Sequence, residues 1–498
     1  MNSLSFDKHK NIILLFIILL ITSVLVFLHI DKESIWLDEA FSIAVADLSW
    51  RKLFQLLSFR EANQGFYFIL LKLWLPLGKS ELAIRGLSAV FAIASVPVFY
   101  SLGSRLFNTR AGLIAALFLS VNAFFIEFAQ EARGYSLLLL LVVASTYYFI
   151  KTIDQSCWIN KLGYVIMSTL ALYTHFFAAL VLIAHGFSVL FLPKKYLRWK
   201  DVLQCSFGIV FLCFPLAVYV FLKRNLDTVG WISGPTLKDI YYLFMALTGN
   251  DGRANLLVYF IPCFIFLANG IRSWMESKKS MDTWRYIFLL SWLFVPIICA
   301  YMLSKHKPVF VYKYLIVSLP ALVLIAGIGA ANIKNRYIPI ILVILLVSLS
   351  IRAIVTSYYP KEKENWREAT NYILTHANSG DAILFYAPYI KQPFEYYRQR
   401  KNAPPDILNC IYPSPLGNDP ETLFPDFVPD RNLFNEKYKR IWIVLSHNDL
   451  PKMHQQSYYM TESLKIYNEI INTIENTYQI QEKKNYNSIK IILFIKNG

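Results

Sequence analysis

The stretch Asn11 to Ile30, NIILLFIILLITSVLVFLHI, decides the class of this protein. A run of about 20 apolar residues is what an α-helix needs to cross a hydrocarbon core roughly 30 Å thick. Lys8 and Lys10 precede it and no small-residue cleavage site follows, so it reads as a retained anchor and not as a signal peptide. The whole chain agrees: 56% of residues are hydrophobic and only 16% charged, against about a quarter charged in soluble domains. Mean hydropathy is +0.42. The formal net charge of +16 is not gathered into the aromatic-interleaved patch that would bind nucleic acid, and no nucleic-acid partner is expected. Six cysteines lie scattered without CxxC spacing, and only Cys410 falls in the polar C-terminal part, so no structural disulfide is expected there.

Working outward from the first run, hydropathy gives about eleven candidate spans. They cover 11–30, 82–104, 111–128, 134–152, 159–176, 177–193, 202–222, 256–272, 285–304, 312–332 and 336–355. Every second loop is basic, carrying Arg105 and Arg110, Lys151 and Lys161, Lys194 to Lys200, Arg272 to Arg285, and Lys334 with Arg336. Lys and Arg orient a membrane protein by staying on the cytoplasmic side. The reading is therefore a multi-pass cell-membrane protein with a cytoplasmic N-terminus and an extracytoplasmic C-terminal part. Phe66 to Leu77 (FYFILLKLWLPL) is apolar but short, contains Lys72 and stops at Pro76. It reads as interfacial or re-entrant. Counting it as a span would turn the basic loops outward.

After Tyr358 the composition turns polar and proline-rich. Trp366 to His376 reads as an amphipathic helix, Ala382 to Tyr386 as a strand after Ser379-Gly380, Ile441 to Leu445 as a buried strand, Tyr459 to Tyr478 as a helix and Ile489 to Ile495 as a last strand. The expected architecture is mainly α: residues 1–355 form a polytopic membrane helix bundle with a first outer loop over 31–81, and 356–498 form an extracytoplasmic α/β domain.

Four polar clusters at the outer ends of spans could carry chemistry. Asp38 and Glu39, in IWLDEAF, can take a proton from a hydroxyl or bind a divalent cation, although alone they are equally a solvated loop pair. In FAQEARGY (Phe128 to Tyr135), Glu131 and Arg133 either pair with each other or supply a carboxylate and a cation to a cavity. His175, in YTHFF, is either a satisfied core histidine or a group that meets an acceptor, a phosphate or a metal. Near the tenth span, Lys307, Lys313 and Tyr314 either snorkel at the interface or join Arg85 and Arg133 in holding a lipid phosphate. No P-loop, dinucleotide fingerprint, HExxH or serine-triad signature offers a rival chemistry.

These residues resemble a known family. The DE pair of the first outer loop, the stretch Phe66 to Arg105 with LLKLW, SELAIR and VPVFYSLGSRLF, the QEARGY segment after RAG, and YTHFF are similar to GT-C-type polyprenyl-phosphate-dependent glycosyltransferases. The likeness is to family 39, the protein O-mannosyltransferase-like group, and to the lipid A aminoarabinose transferases. NWREATNYI from Asn365, followed by GDAIL, resembles the start of that family's outer domain. The chain departs from the pattern where relatives carry Pro-Pro-Leu-Tyr, here Asn63, Gln64, Gly65, Phe66 and Tyr67, and where Arg-Tyr is Lys313-Tyr314.

The resemblance implies transfer of one hexosyl or pentosyl unit from a polyprenyl-phosphate-sugar donor, with inversion, to a glycan, lipid or protein acceptor on the outer face. Asp38 would be the general base with Glu39 beside it and Glu131 in the same cavity. Gln64, Tyr67, Arg85, Arg133, Tyr135, His175, Lys313 and Tyr314 would bind substrate. A divalent cation is an open possibility. Two other readings stand beside this one: a transporter or flippase for a lipid-linked or anionic substrate, and a membrane-anchored binding protein. A transporter would show internal repeats and polar groups at the bilayer midplane. Neither is visible in the sequence.

Overall fold

The computed structural model describes residues 2–59, 61–222, 234–249, 253–335, 337–385, 390–401, 408–411, 438–446, 468, 471–472 and 474–497. They divide into two compact units, one formed by Met1–Ile30 and Trp50–Lys361, the other by Asp31–Ser49 and Glu362–Gly498.

In chain order the helices begin with α1 (Asn2–Phe27), α2 (Leu37–Asp47), α3 (Trp50–Phe59) and α4 (Gly65–Trp74). Next come α5 (Glu81–Leu106), α6 (Thr109–Ser120), α7 (Ala123–Ala129), α8 (Tyr135–Asp154), α9 (Trp158–Thr174) and α10 (Ala178–Val189). The series continues through α11 (Trp199–Leu212), α12 (Phe214–Leu222), α13 (Leu237–Leu247), α14 (Arg253–Glu276), α15 (Met281–Leu303), α16 (Leu319–Ala331) and α17 (Ile338–Ala353). All of these but α2 belong to the first unit.

Among the described residues, seven helices are long and apolar enough to cross a membrane, or nine if two bent pairs each count as one span. The expected span over 111–128 is broken by 62° between α6 and α7. Asn122 causes the break: its side chain accepts the Phe125 N–H at 3.0 Å, which starts a new helix. The expected span over 202–222 bends by 56° between α11 and α12, where Pro215 has no N–H to continue the ladder. The expected spans over 159–176 and 177–193 are α9 and the shorter α10. Phe66 to Leu77 is α4 with a 3-10 turn over Leu75–Leu77; ten residues of helix reach only about 15 Å.

The bundle is built around α16, which is apolar on every side and buried along almost its whole length. Small residues let its neighbours approach: a Cβ on Gly327 would lie 2.7 Å from that of Ala115 on α6, and one on Gly329 would overlap the Pro262 carbonyl of α14. The periphery is apolar as well. Phe207 is 72% and Phe264 71% exposed, an arrangement favourable only against lipid. The protein is a multi-pass membrane protein.

The second unit holds a five-stranded sheet of β1 (Asp381–Phe385), β2 (Leu408–Ile411), β3 (Arg440–Ser446), β4 (Tyr478–Tyr486) and β5 (Ile489–Lys496). Its order is β2-β1-β3-β5-β4. β1 runs parallel to β2 and β3, whereas β5 is antiparallel to β3 and β4. β1 and β3 are buried almost throughout and read as continuous apolar runs for that reason. The indole of Trp442 ties them by donating to Asp381 Oδ2 at 2.8 Å. At the edge, β4 carries Glu482, Lys483 and Lys484, charges that discourage pairing with another chain. α18 (Trp366–His376) starts at Asn365, whose side chain accepts the Glu368 N–H, and α19 (Lys391–Arg400) precedes β2. The helix expected over Tyr459 to Tyr478 lies mostly outside the described residues; Tyr478 itself begins β4. β2, β4 and α19 were not expected from the sequence, and Tyr386 falls outside the described residues.

Residues 31–49 are held within this second unit. Ser34 Oγ donates to the Glu364 carbonyl at 2.7 Å, the Ile35 N–H donates to Tyr397 Oη at 2.7 Å, and Arg367 Nη2 donates to the Asp31 carbonyl at 2.8 Å.

Candidate functional site

The polar centre of the first unit is assembled by the loop that enters α4. Gln64 adopts a left-handed backbone, φ 64°, and its side-chain oxygen accepts the Gly134 N–H at 2.9 Å. Next to it, Asn63 Oδ1 accepts the Phe176 N–H at 3.3 Å. Two adjacent amides thereby pin this loop to the turn before α8 and to the corner between α9 and α10. Gly134 is required by the close approach, because a Cβ there would sit 3.2 Å from the Cβ of Tyr67 and 3.3 Å from Gln64 Oε1. Tyr67 Oη lies 3.0 Å from Ser88 Oγ, which donates to the Arg133 carbonyl at 3.2 Å. The turn Glu131–Gly134 is therefore fixed from α4 and α5 together.

His175 closes α9 and is 2% exposed. Its Nδ1 accepts the Phe177 N–H at 3.2 Å, so in the neutral ring the proton sits on Nε2. That Nε2 is buried and has no hydrogen-bond partner among the described residues. The ring packs among aromatics, 5.0 Å from Tyr314 and 5.9 Å from Tyr135, with Phe177 also against Tyr314 at 5.3 Å. Arg133 and Lys313 both act on it electrostatically.

Glu61, in the same entry loop, was missed at the level of sequence. Removal from water pushes its carboxyl up to about 7, while the charge of Arg133 and the backbone N–H of Asn63 pull the other way. Its only sequence signal was its place, two residues before the departure from the Pro-Pro-Leu-Tyr pattern.

The expected residues fall into three groups. Gln64, Tyr67, Arg133, Tyr135, His175, Lys313 and Tyr314 come together around this corner. Arg85 and Glu131 lie to one side: buried Arg85 donates from Nη1 to the Ile30 carbonyl at 2.7 Å, and both are near Tyr358. Neighbouring Gln130 is spent on structure, donating to the Val26 and Leu28 carbonyls at 2.8 Å and accepting from Tyr358 Oη at 2.8 Å. Asp38 and Glu39 belong to the second unit, in the first turn of α2. Glu39 is fully buried and Asp38 half-buried. Trp36 offers this helix no side-chain cap, so its N-terminal N–H groups favour negative charge at these two positions. Among the described residues, no group of three or more His, Cys, Asp or Glu is placed to hold a metal ion.

Residues 65–221 match the family model described as dolichyl-phosphate-mannose-protein mannosyltransferase. Along 98% of both chains the structure is similar to ArnT from Cupriavidus metallidurans in the apo state, at 12% identity and a TM-score of 0.62. The undecaprenyl-phosphate-bound form of that protein matches over 96% of this chain and 97% of the other, at 11% identity and a TM-score of 0.60. An oligosaccharyltransferase from Archaeoglobus fulgidus, in complex with Zn and sulfate, matches over 86% of this chain and 67% of its own, at 12% identity and a TM-score of 0.52. By sequence the chain finds no match among curated proteins. The fold is thus that of ArnT, of the GT-C type, and the stretch 65–221 is similar to the mannosyltransferase family model.

Proposed function

We propose that the protein transfers a sugar, with inversion, from a polyprenyl-phosphate carrier to a hydroxyl-bearing acceptor on the outer face of the membrane. The observation that carries the reading is the fixed corner formed by Gln64 with Gly134, Arg133 and His175, the last three inside the stretch 65–221 that matches the mannosyltransferase model and Gln64 immediately before it. Arg133 and Lys313 bring positive charge to an apolar setting, as a lipid phosphate needs. Tyr314 and the Nε2–H of His175 add neutral donors.

The chemistry follows from the charges. The bond between the sugar C1 and the phosphate oxygen breaks toward an oxocarbenium-like state, and its electron pair leaves with the lipid phosphate. Arg133 and Lys313 stabilise that developing charge, strongly because the surroundings are of low dielectric. An acceptor hydroxyl attacks C1 from the opposite side and gives its proton to a base. Asp38 is the base in this reading, by resemblance and by its place in the first turn of α2, where the N-terminal N–H groups favour negative charge. Glu39 stands beside it in the same helix turn, and Gln64, Tyr67, Arg85, Glu131 and Tyr135 shape the donor site in this reading. The basic loops set the N-terminus in the cytoplasm.

The test is Asp38→Asn in membranes supplied with polyprenyl-phosphate sugar. Transfer is expected to fall by about 10²- to 10⁴-fold with the protein still inserted; an undiminished rate removes Asp38 from the reaction. Flux of the carrier in proteoliposomes without any acceptor would instead favour a transporter.

A further inference from the structure

An apolar groove of about 270 Å³ runs between α8, α9, α10 and α11. It lies at the other end of the bundle from the polar corner. α8 spans 20 residues, about 30 Å; Tyr135 at its start belongs to the corner, whereas Thr152 and Ile153 near its end line the groove. The walls are Phe149, Tyr164, Val189 and Ile209.

Two features separate this groove from ordinary lipid-facing surface. Gly186 forms part of its wall, and a Cβ built there meets nothing within 4 Å. Glycine inside a helix destabilises it relative to alanine, and no crowding by protein explains its presence at this position. The second feature is the mouth. Arg198 and Asp201 line it, Lys161 is ion-paired to Asp201, Lys195 lies over the ring of the lining residue Tyr196, and Lys194 and Lys200 flank these residues in the sequence. Asp201 is held by Lys161 at 3.2 Å, leaving Arg198 at 4.0 Å, with its side chain 45% exposed.

We propose that this groove is a binding site for an anionic membrane phospholipid. One acyl chain lies along Phe149, Gly186 and Ile209, and the phosphate sits at Arg198 with Lys194 and Lys195. Apolar walls select a hydrocarbon chain, and the excess of positive charge selects a headgroup with net negative charge over a zwitterionic one. The site is separate from the donor-binding corner and does not depend on which reaction occurs there.

The experiment uses the full-length protein, delipidated in detergent, equilibrated with an equimolar mixture of dioleoyl phosphatidylglycerol and dioleoyl phosphatidylcholine, and read by native mass spectrometry. Phosphatidylglycerol is expected to be retained preferentially. Arg198→Gln should weaken that retention about fivefold, as for loss of one cation near a charged lipid. Gly186→Phe fills the groove and should abolish the retained species. Should that variant not fold, Gly186→Leu and Arg198→Gln carry the decision. Equal retention of the two lipids by the unaltered protein, or unchanged phosphatidylglycerol retention in these variants, overturns the proposal.

Discussion

Gln64 holds Gly134: the side-chain oxygen of the first accepts the backbone N–H of the second at 2.9 Å, in a buried setting. Gln64 does so from a left-handed backbone, so its side chain is committed to positioning the turn that carries Arg133. Gln64→Ala leaves the Gly134 N–H without its partner and should cost about 1–3 kcal/mol. Gly134→Ala, meeting Tyr67 at 3.2 Å, should cost a similar amount, about 1–3 kcal/mol. Thermal midpoints of the purified variants check both, and an unshifted midpoint in Gln64→Ala would mean the amide bond does not hold the turn.

His175→Phe separates packing from chemistry. Phenylalanine keeps the contacts with Tyr135 and Tyr314 but supplies no Nε2–H. Phenylalanine also removes the Nδ1 acceptor of the Phe177 N–H, so stability should fall by about 1–3 kcal/mol. Transfer should drop by about 10²-fold, the loss expected when one donor to developing negative charge is removed. A variant as active as the parent makes His175 a packing residue only.

Glu61 gives the protein a pH dependence of definite sign. Its native carboxyl titrates at about 7 and the unfolded one near 4.5, so between these values the native state binds more protons. Stability from this group is fully present below about 4.5 and is lost as pH rises toward about 7. Glu61→Gln, neutral at every pH, should flatten that fall. Midpoints measured at about pH 5 and pH 8 for both proteins provide the comparison, and identical slopes would show that Glu61 titrates normally.

Gly327→Ala and Gly329→Ala test the central helix. Each added methyl enters occupied space, at Ala115 or at the Pro262 carbonyl. Each should destabilise by about 1–3 kcal/mol, with Gly329→Ala worse because its overlap with the Pro262 carbonyl is the deeper of the two. A thermal midpoint for Gly329→Ala equal to the parent's would contradict the packing of α14 on α16.

Much of the bundle was legible because hydropathy measures the solvent a helix requires, and α1, α5, α8 and α15 are long enough to register. It could not report where a helix breaks. The bend at Asn122 is a local hydrogen bond inside an apolar window, and that at Cys213 comes from a single following proline. In the second unit β1, β3 and β5 were visible as buried apolar runs. β4 was not, because an edge strand exposed along nearly its whole length carries no apolar signature. At the site, residue types announced His175 and Arg133. The roles of Asn63 and Glu61 depend on partners about 70 to 110 residues away, which no local pattern encodes.

The contacts that seat the Asp38 segment join residues more than 300 positions apart, Ser34 to Glu364 and Ile35 to Tyr397. Closing so long a loop requires nearly the whole polypeptide to exist first. During synthesis the acid pair emerges more than 300 residues before its anchors. A nascent chain can therefore insert its first helices before residues 31–49 meet their partners, and the order of translation itself delays the seating of this segment.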